Sequence, residues 1–322
     1  MKKDKINLIL SPLAGVTDRA FRSICNKYSM DYAYTEMISA KGLFYSDKAT
    51  EELLASFSGE ENLGVQIFGS DPEIMGQMAK KISETRPYIK SIDLNMGCPA
   101  KKIIKNGEGS ALMKDPELVK RIIFSIKENT DLPVSAKFRL GFDDQSKNYL
   151  EIGKICQDLA CSHVTLHGRT TEQMYTGKAD WDAIRRLNDK LDIEVVGNGD
   201  IFTPKDALDM MSYTGVSSVA IARGAMGNPF IFQQVKDLMK HGYYEQASLD
   251  LIIDTIFDHY KLLSEFKGPR IAVNEMRKHI AWYIKGLRGA NKLKNEINMR
   301  KEIDQVFDLL ENFRKEYKEN AD

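Results

Sequence analysis

Eight short apolar runs decide what this chain can fold into. Each ends at, or within one residue of, Gly, Asn or a polar residue, and each is followed by a helix-like stretch. They cover residues 9–14, 32–37, 64–68, 91–95, 134–139, 163–167, 194–198 and 218–222. Most are continuously hydrophobic rather than alternating, the pattern of parallel strands buried on both faces. Between them, Asp71-Pro72-Glu73 and Asp115-Pro116-Glu117 read as an N-cap, a proline at the first helical position and an acid in the first turn. Thr203-Pro204-Lys205-Asp206 reads as a third helix start without the early acid. Eight strands alternating with helices give an α/β chain folded as a (β/α)8 TIM barrel, which takes about 250 residues. An open doubly wound sheet is the competing layout; the strand count and the placement of polar residues favour the barrel.

With 322 residues the chain is longer than such a barrel. From about residue 245 the pattern becomes purely helical: Ile253, Ile256, Tyr260 and Leu263 share one face, Val273, Met276, Ile280, Tyr283 and Leu287 a second, and Ile303, Val306, Leu310 and Phe313 a third. Residues 1–242 are therefore expected to form the barrel and residues 243–322 a small C-terminal all-α helical domain. No run approaches the ~20 apolar residues of a membrane helix, and residues 1–9 lack the apolar stretch of a secretion signal. Four cysteines without a C-x-x-C pair suggest neither a zinc knuckle nor a disulfide framework. A metal-free, monomeric protein of the reducing cytoplasm is expected.

Barrels of this kind place their chemistry at the C-terminal strand ends. Those ends read Pro12-Leu13-Ala14, Glu36-Met37, Gln66, Asn95 with Cys98, Lys137 with Arg139, His167, Asn198-Gly199-Asp200 and Ala222-Arg223-Gly224. So many polar groups at equivalent places are hard to explain by packing alone. The glycine-containing loops after the last two strands, with Arg223, suit a phosphorylated cofactor. Gln66 and Asn95 offer the mixed donors and acceptors that a flavin edge requires, and Lys137 would stabilise a reduced flavin's negative charge. His167 sits at a strand-to-loop turn. Cys98, flanked by Gly97 and Pro99, can be read as a nucleophile, with His167 as its base, or as a general acid; a free thiol pKa of about 8.5 permits the second. Cys25, Cys156 and Cys161 read as buried small hydrophobes.

Lys+Arg equals Asp+Glu over the whole chain, but the balance is uneven. Residues 267–301 carry ten basic and two acidic side chains, a local excess of +8. An imbalance of this size beside an active site fits a phosphate backbone better than a solvated helix face. Arg277, Lys278 and His279 lie in this stretch; Trp282 and Tyr283 could stack on a base. Lys101, just past Cys98, adds positive charge next to the thiol, and Arg139 and Arg169 stand near the same mouth.

The strand-end residues resemble the tRNA-dihydrouridine synthase family. Ser11-Pro12-Leu13-Ala14-Gly15-Val16-Thr17-Asp18 is similar to its first-strand motif, and Leu94-Asn95-Met96-Gly97-Cys98-Pro99-Ala100-Lys101-Lys102 to its catalytic loop. His167-Gly168-Arg169-Thr170, Gly197-Asn198-Gly199-Asp200 and Ala222-Arg223-Gly224 match later motifs, and Arg277-Lys278-His279 with Trp282-Tyr283 looks like the C-terminal signature of the bacterial B type. Ser11 and Leu13 stand where Ala and Met are usual, and Ala222 where Gly is common. The resemblance implies FMN reduced by NADPH or NADH, hydride passing to C6 of a tRNA uracil, and Cys98 protonating C5. It implies FMN contacts at Pro12, Leu13, Ala14, Gln66, Lys137, His167, Asn198, Gly199, Asp200, Ala222 and Arg223. It also implies contacts to substrate or tRNA at Asn95, Lys101, Arg139, Arg169, Arg277, Lys278 and His279. A small-molecule flavin reductase of the dihydroorotate or dihydropyrimidine dehydrogenase type shares the barrel but does not account for the basic segment. An RNA-binding module on a dead barrel does not account for the strand ends.

Overall fold

The computed structural model describes residues 7–319. Nine parallel strands follow in chain order: β1 (Asn7–Leu10), β2 (Tyr32–Tyr34), β3 (Ile38–Ser39), β4 (Leu63–Phe68), β5 (Ile89–Met96), β6 (Val134–Arg139), β7 (His163–His167), β8 (Glu194–Asn198) and β9 (Ser218–Ile221). β1 pairs with both β2 and β9, and β2 also pairs with β4, so the sheet closes into a ring of eight staves. β3 lies on β4 as a continuation of the second stave.

The expected strand over residues 32–37 is broken in the middle. Thr35 supplies the reason: its hydroxyl accepts the Gln66 N–H at 3.2 Å and donates to the Glu36 carbonyl at 2.8 Å, so a side chain takes a place in the ladder that backbone would fill. Glu36 is freed to accept the Gly15 N–H, tying the second stave to the loop after the first.

The outer layer is α1 (Arg19–Lys27), α2 (Ala40–Phe44), α3 (Lys48–Glu52), α4 (Pro72–Thr85), α5 (Lys101–Lys105), α6 (Pro116–Glu128), α7 (Tyr149–Asp158), α8 (Trp181–Lys190), α9 (Pro204–Thr214) and α10 (Ile231–His241). Asp71 and Asp115 cap α4 and α6, as the sequence predicts. At α9 the start is stronger than its sequence suggests. Asp206 is an acid in the first turn, and its carboxylate accepts the Thr203 N–H at 2.8 Å, completing a reciprocal capping box.

α11 (Leu249–Lys267), α12 (Pro269–Tyr283), α13 (Ala290–Asn298) and α14 (Ile303–Glu319) build a second core around Ile256, Tyr260, Met276, Ile280 and Leu310. This core reaches the barrel at α1, whose Ala20 is part of it. The backbones approach closely at Gly227, where φ is +72° and a Cβ would sit 2.3 Å from the Trp282 backbone, so only glycine lets the loop after β9 pass under α12. Among the described residues, no helix is long and apolar enough to cross a membrane, and no group of three or more His, Cys, Asp or Glu side chains is placed to hold a metal ion.

Candidate active site

The C-terminal strand ends surround one cavity of about 900 Å3, counting its open mouth. Fourteen residues singled out in the sequence line it together: Pro12, Leu13, Ala14, Gln66, Asn95, Cys98, Lys137, Arg139, His167, Asn198, Gly199, Asp200, Ala222 and Arg223. Sequence reasoning misses Tyr175, Ile201 and Phe202, which come from loops rather than strand ends.

Lys137 projects from β6 and donates to Asn198 Oδ1 at 2.8 Å; Asn198 passes its own amide hydrogens to the Ala220 carbonyl at 2.6 Å and to Ser11 Oγ at 3.4 Å. Among the described residues this neutral amide is the only hydrogen-bond partner of the ammonium. Burial and the nearby Arg139 guanidinium bring Lys137 down to about 8. Burial also holds His167 well below the usual imidazole range, assisted by Lys137, Arg139, Arg169 and Arg223, so the ring is neutral at pH 7. Gly199 lies against that ring with φ at +126°; a Cβ there would come within 3.0 Å of His167 and 2.8 Å of Ala179.

Asp200 follows in the left-handed region, φ +58°. Its carboxylate is 2.7 Å from Arg169 and 3.4 Å from Arg223, and accepts the Ala179 N–H at 2.8 Å. Arg169, expected at the substrate surface, is 1% exposed. Its Nε and Nη2 donors go to Asp200 and to the carbonyls of Thr176 and Gly177, so it pins the 170–177 loop. That loop carries Tyr175, whose ring lies 4.8 Å from the Arg223 guanidinium carbon, with Phe202 at 5.1 Å from the same carbon.

Cys98 occupies a loop held from several sides. Asn95 Oδ1 accepts the N–H groups of Gly97 at 3.2 Å and Cys98 at 3.0 Å. Ser110 donates its N–H and hydroxyl to the Cys98 carbonyl at 3.1 and 2.9 Å. Arg139 Nε donates to the Gly97 carbonyl at 2.8 Å. Burial raises the thiol above its ordinary value, against a hydrogen bond from the Ala100 backbone and the positive field of Arg139. The thiol is therefore protonated at neutral pH. Cys25, Cys156 and Cys161 are buried.

Against this geometry, residues 9–322 match the family described as dihydrouridine synthase. The chain belongs to the dihydrouridine synthase family. It is 35% identical to tRNA-dihydrouridine synthase B of Vibrio cholerae over 311 residues, covering 96% of each chain. It is 39% identical to tRNA-dihydrouridine synthase B of Shewanella oneidensis over 289 residues, covering 87% of each. Among solved structures, 6-hydroxypseudooxynicotine amine oxidase from Pseudomonas geniculata superimposes with a TM-score of 0.56 over 79% of this chain at 10% identity, a likeness of fold alone. The chain spans about half of that protein, 51% of its length.

For a member of this family the cavity can be tested against a flavin nucleotide. Lys137 is a cation at the wall with no carboxylate bonded to it, and Arg223, its side chain 35% exposed, adds positive charge at the glycine-containing loop after β9. Two cations so placed fit a ligand carrying one anionic head and one ring able to accept charge.

The residues expected to touch tRNA divide. Lys101 is exposed at the start of α5. Arg139 lines the cavity, with its Nε and Nη1 donors engaged by the carbonyls of Gly97, Thr170 and Met174. Lys278 donates to the Gly15 carbonyl and so docks α12 on the first-strand loop. Arg277 donates to the Arg300 carbonyl at 2.9 Å. His279 is fully buried, its ring packed on Phe21 and His259 at 5.7 and 4.6 Å between centroids, and burial keeps it neutral. The expectation of a His279 contact to RNA is therefore corrected: an imidazole inside the helical core has no surface to offer. The exposed charge of the segment resides in Arg270, Lys285, Arg288, Lys292, Lys294 and Lys301.

Proposed function

We propose that this protein reduces the 5,6 double bond of uridines in tRNA, a reading supported by relatives named tRNA-dihydrouridine synthase B. The family is flavin-dependent; FMN in the barrel mouth and NADPH or NADH as reductant make up the finer reading. Residues 1–242 would hold the flavin and residues 243–322 the tRNA, in a monomer of the cytoplasm.

The observation that carries this reading is Cys98: a protonated thiol on a fixed loop at the lip of a cavity lined by Lys137. Bound FMN would supply hydride to C6 of the uracil. Carbon 5 then carries the electron pair of an enolate conjugated to the C4 carbonyl and needs one proton. Cys98 Sγ–H supplies it as general acid, and the thiolate left behind lies in the positive field of Arg139. Lys137 would balance negative charge on a bound flavin ring and Arg223 would pair with its phosphate, while Pro12, Leu13, Ala14, Gln66, His167, Asn198, Gly199, Asp200 and Ala222 would complete the cofactor wall. Asn95 faces the base. The target uridine must leave its stack to enter the mouth, and the exposed cations of α12 and α13 would grip the backbone meanwhile. A small-molecule flavin reductase would leave those cations without a role.

The test is to reduce the flavin-loaded protein with NADPH and offer it unmodified tRNA, free uracil or orotate. Only tRNA should reoxidise it. Comparable turnover of the free bases would overturn the tRNA reading.

A further inference from the structure

A chain of side-chain hydrogen bonds runs from the barrel interior to the Cys98 loop, and its direction is fixed at both ends. At the inner end stands Asp93, 1% exposed, on the inward face of β5 between Ser91 and Asn95. Its carboxylate only accepts: Oδ1 from Ser135 Oγ at 2.6 Å, Oδ2 from Gln66 Nε2 at 2.7 Å. Gln66 therefore turns its carbonyl away, and Gln66 Oε1 accepts from Asn95 Nδ2 at 2.6 Å. Asn95 in turn must present Oδ1 outward, where it receives the N–H groups of Gly97 and Cys98. Backbone N–H groups only donate. An acceptor-only group at one end and donor-only groups at the other select the same orientation of both amides.

A buried carboxylate is costly, and an apolar residue would fill this place in a barrel core at less expense. Burial does raise Asp93, to about 6, but leaves it ionised at the pH of an ordinary assay, with Lys137 as the nearby cation. The bonds to its oxygens are short and charge-assisted, and polarity in such a chain passes from bond to bond.

We propose that Asp93 is a positioning residue for Cys98, acting through Gln66 and Asn95: it sets which face of each amide looks outward and so holds the Cys98 backbone where the thiol can reach the base. The proposal rests on the reading of Cys98 as the reacting thiol, and no atom of Asp93 touches substrate.

Polarity can be reversed, which gives a test that mere stability would not pass. Asn95→Asp places an acceptor against Gln66 Oε1 and forces that amide to turn, so its carbonyl then confronts the Asp93 carboxylate. Adding Asp93→Asn supplies a donor there and restores a consistent chain of opposite direction with the same total charge. In the parent, Asp93→Asn should lower kcat for uridine reduction roughly 3- to 10-fold, by weakening one charge-assisted acceptor. In the Asn95→Asp background it should raise kcat by about 5-fold or more, with KM for tRNA little moved in either case.

Iodoacetamide alkylation of Cys98 in the flavin-loaded protein gives an independent reading. It should speed up with either single substitution and slow again in the pair. If the wild-type protein reduces no tRNA but alkylation follows this pattern, the relay stands and the functional reading fails. If Asp93→Asn acts in the same direction in both backgrounds, whether on kcat, on alkylation or by unfolding both proteins, Asp93 is a stability element and the proposal is overturned.

Discussion

Lys267, the last residue of α11, reaches across the domain junction to Asp18, its ammonium 2.6 Å from the carboxylate that caps α1. Asp18 also accepts the Phe21 N–H at 2.9 Å, and Lys267 meets Glu275 at 2.9 Å. One carboxylate thus starts a barrel helix and anchors the helical domain.

Removing the cation exposes how much that anchor contributes. Burial alone would raise Asp18, but the Lys267 charge outweighs it and the carboxyl lies below its ordinary value of 3.8. An acid depressed in the fold stabilises it above the unfolded value, and that contribution is lost as pH falls through the folded value. Lys267→Met should therefore lower unfolding free energy by about 3 kcal/mol at pH 7, as expected when one partner of a largely buried pair is removed. Urea titrations at pH 7 and pH 3 would show the gap between parent and variant narrowing at the acid end. An equal gap at both would mean that packing rather than charge is responsible.

Lys137 makes the opposite pH prediction. Its folded value of about 8 lies below the ordinary 10.5. Between those values the unfolded chain binds more protons than the ligand-free fold, so this group's contribution to stability rises with pH across that window. A bound anion raises Lys137 and removes the effect. FMN-free protein should therefore gain stability between pH 8 and about 10 relative to Lys137→Met, while FMN-loaded protein should not. Thermal unfolding with and without FMN across this range decides it; identical profiles would take Lys137 out of the ligand site.

The contrast between Lys137 and the basic residues of α12 marks what a sequence can and cannot reveal. Lys137 is readable because it ends a strand, and strand ends in a closed barrel converge whatever the loops do. The wall built by Gln66, Asn95, His167, Asn198 and Arg223 is legible for the same reason. Lys278, Arg277 and His279 sit on one helix, where neighbours in sequence point in different directions and composition cannot separate the buried face from the exposed one. Arg169 misleads because nothing local tells that Asp200 will turn towards it. Tyr175 and Phe202 belong to irregular loops without a period to read. Asp93 does leave a signal, the alternation Ser91, Asp93, Asn95 along a strand whose intervening Ile92 and Leu94 are apolar.

Cys98 yields a prediction about protonation. With burial holding the thiol up, its alkylation should be slow at pH 7 and accelerate only above the ordinary thiol range. Cys98→Ala should retain flavin and its reduction by NADPH while dihydrouridine formation falls by ~10²-fold or more. Rapid alkylation at pH 7 would instead mark a thiolate and favour a nucleophilic role.

Arg288 and Lys292 are exposed and flank a groove between α13 and α14. If the basic excess serves a phosphate backbone, reversing both to Glu should weaken tRNA binding and reduce the slope of log K against log salt by about 1 for each phosphate no longer neutralised. Lys278→Met should behave differently. It unfastens α12 from the Gly15 carbonyl, so it should disturb flavin retention and domain docking while leaving the salt slope nearly intact. Measuring tRNA affinity by filter binding between about 50 and 200 mM salt separates the two. A slope that changes with Lys278→Met but not with the Arg288 and Lys292 reversals would move the RNA path from the α13–α14 side to the junction between barrel and helices.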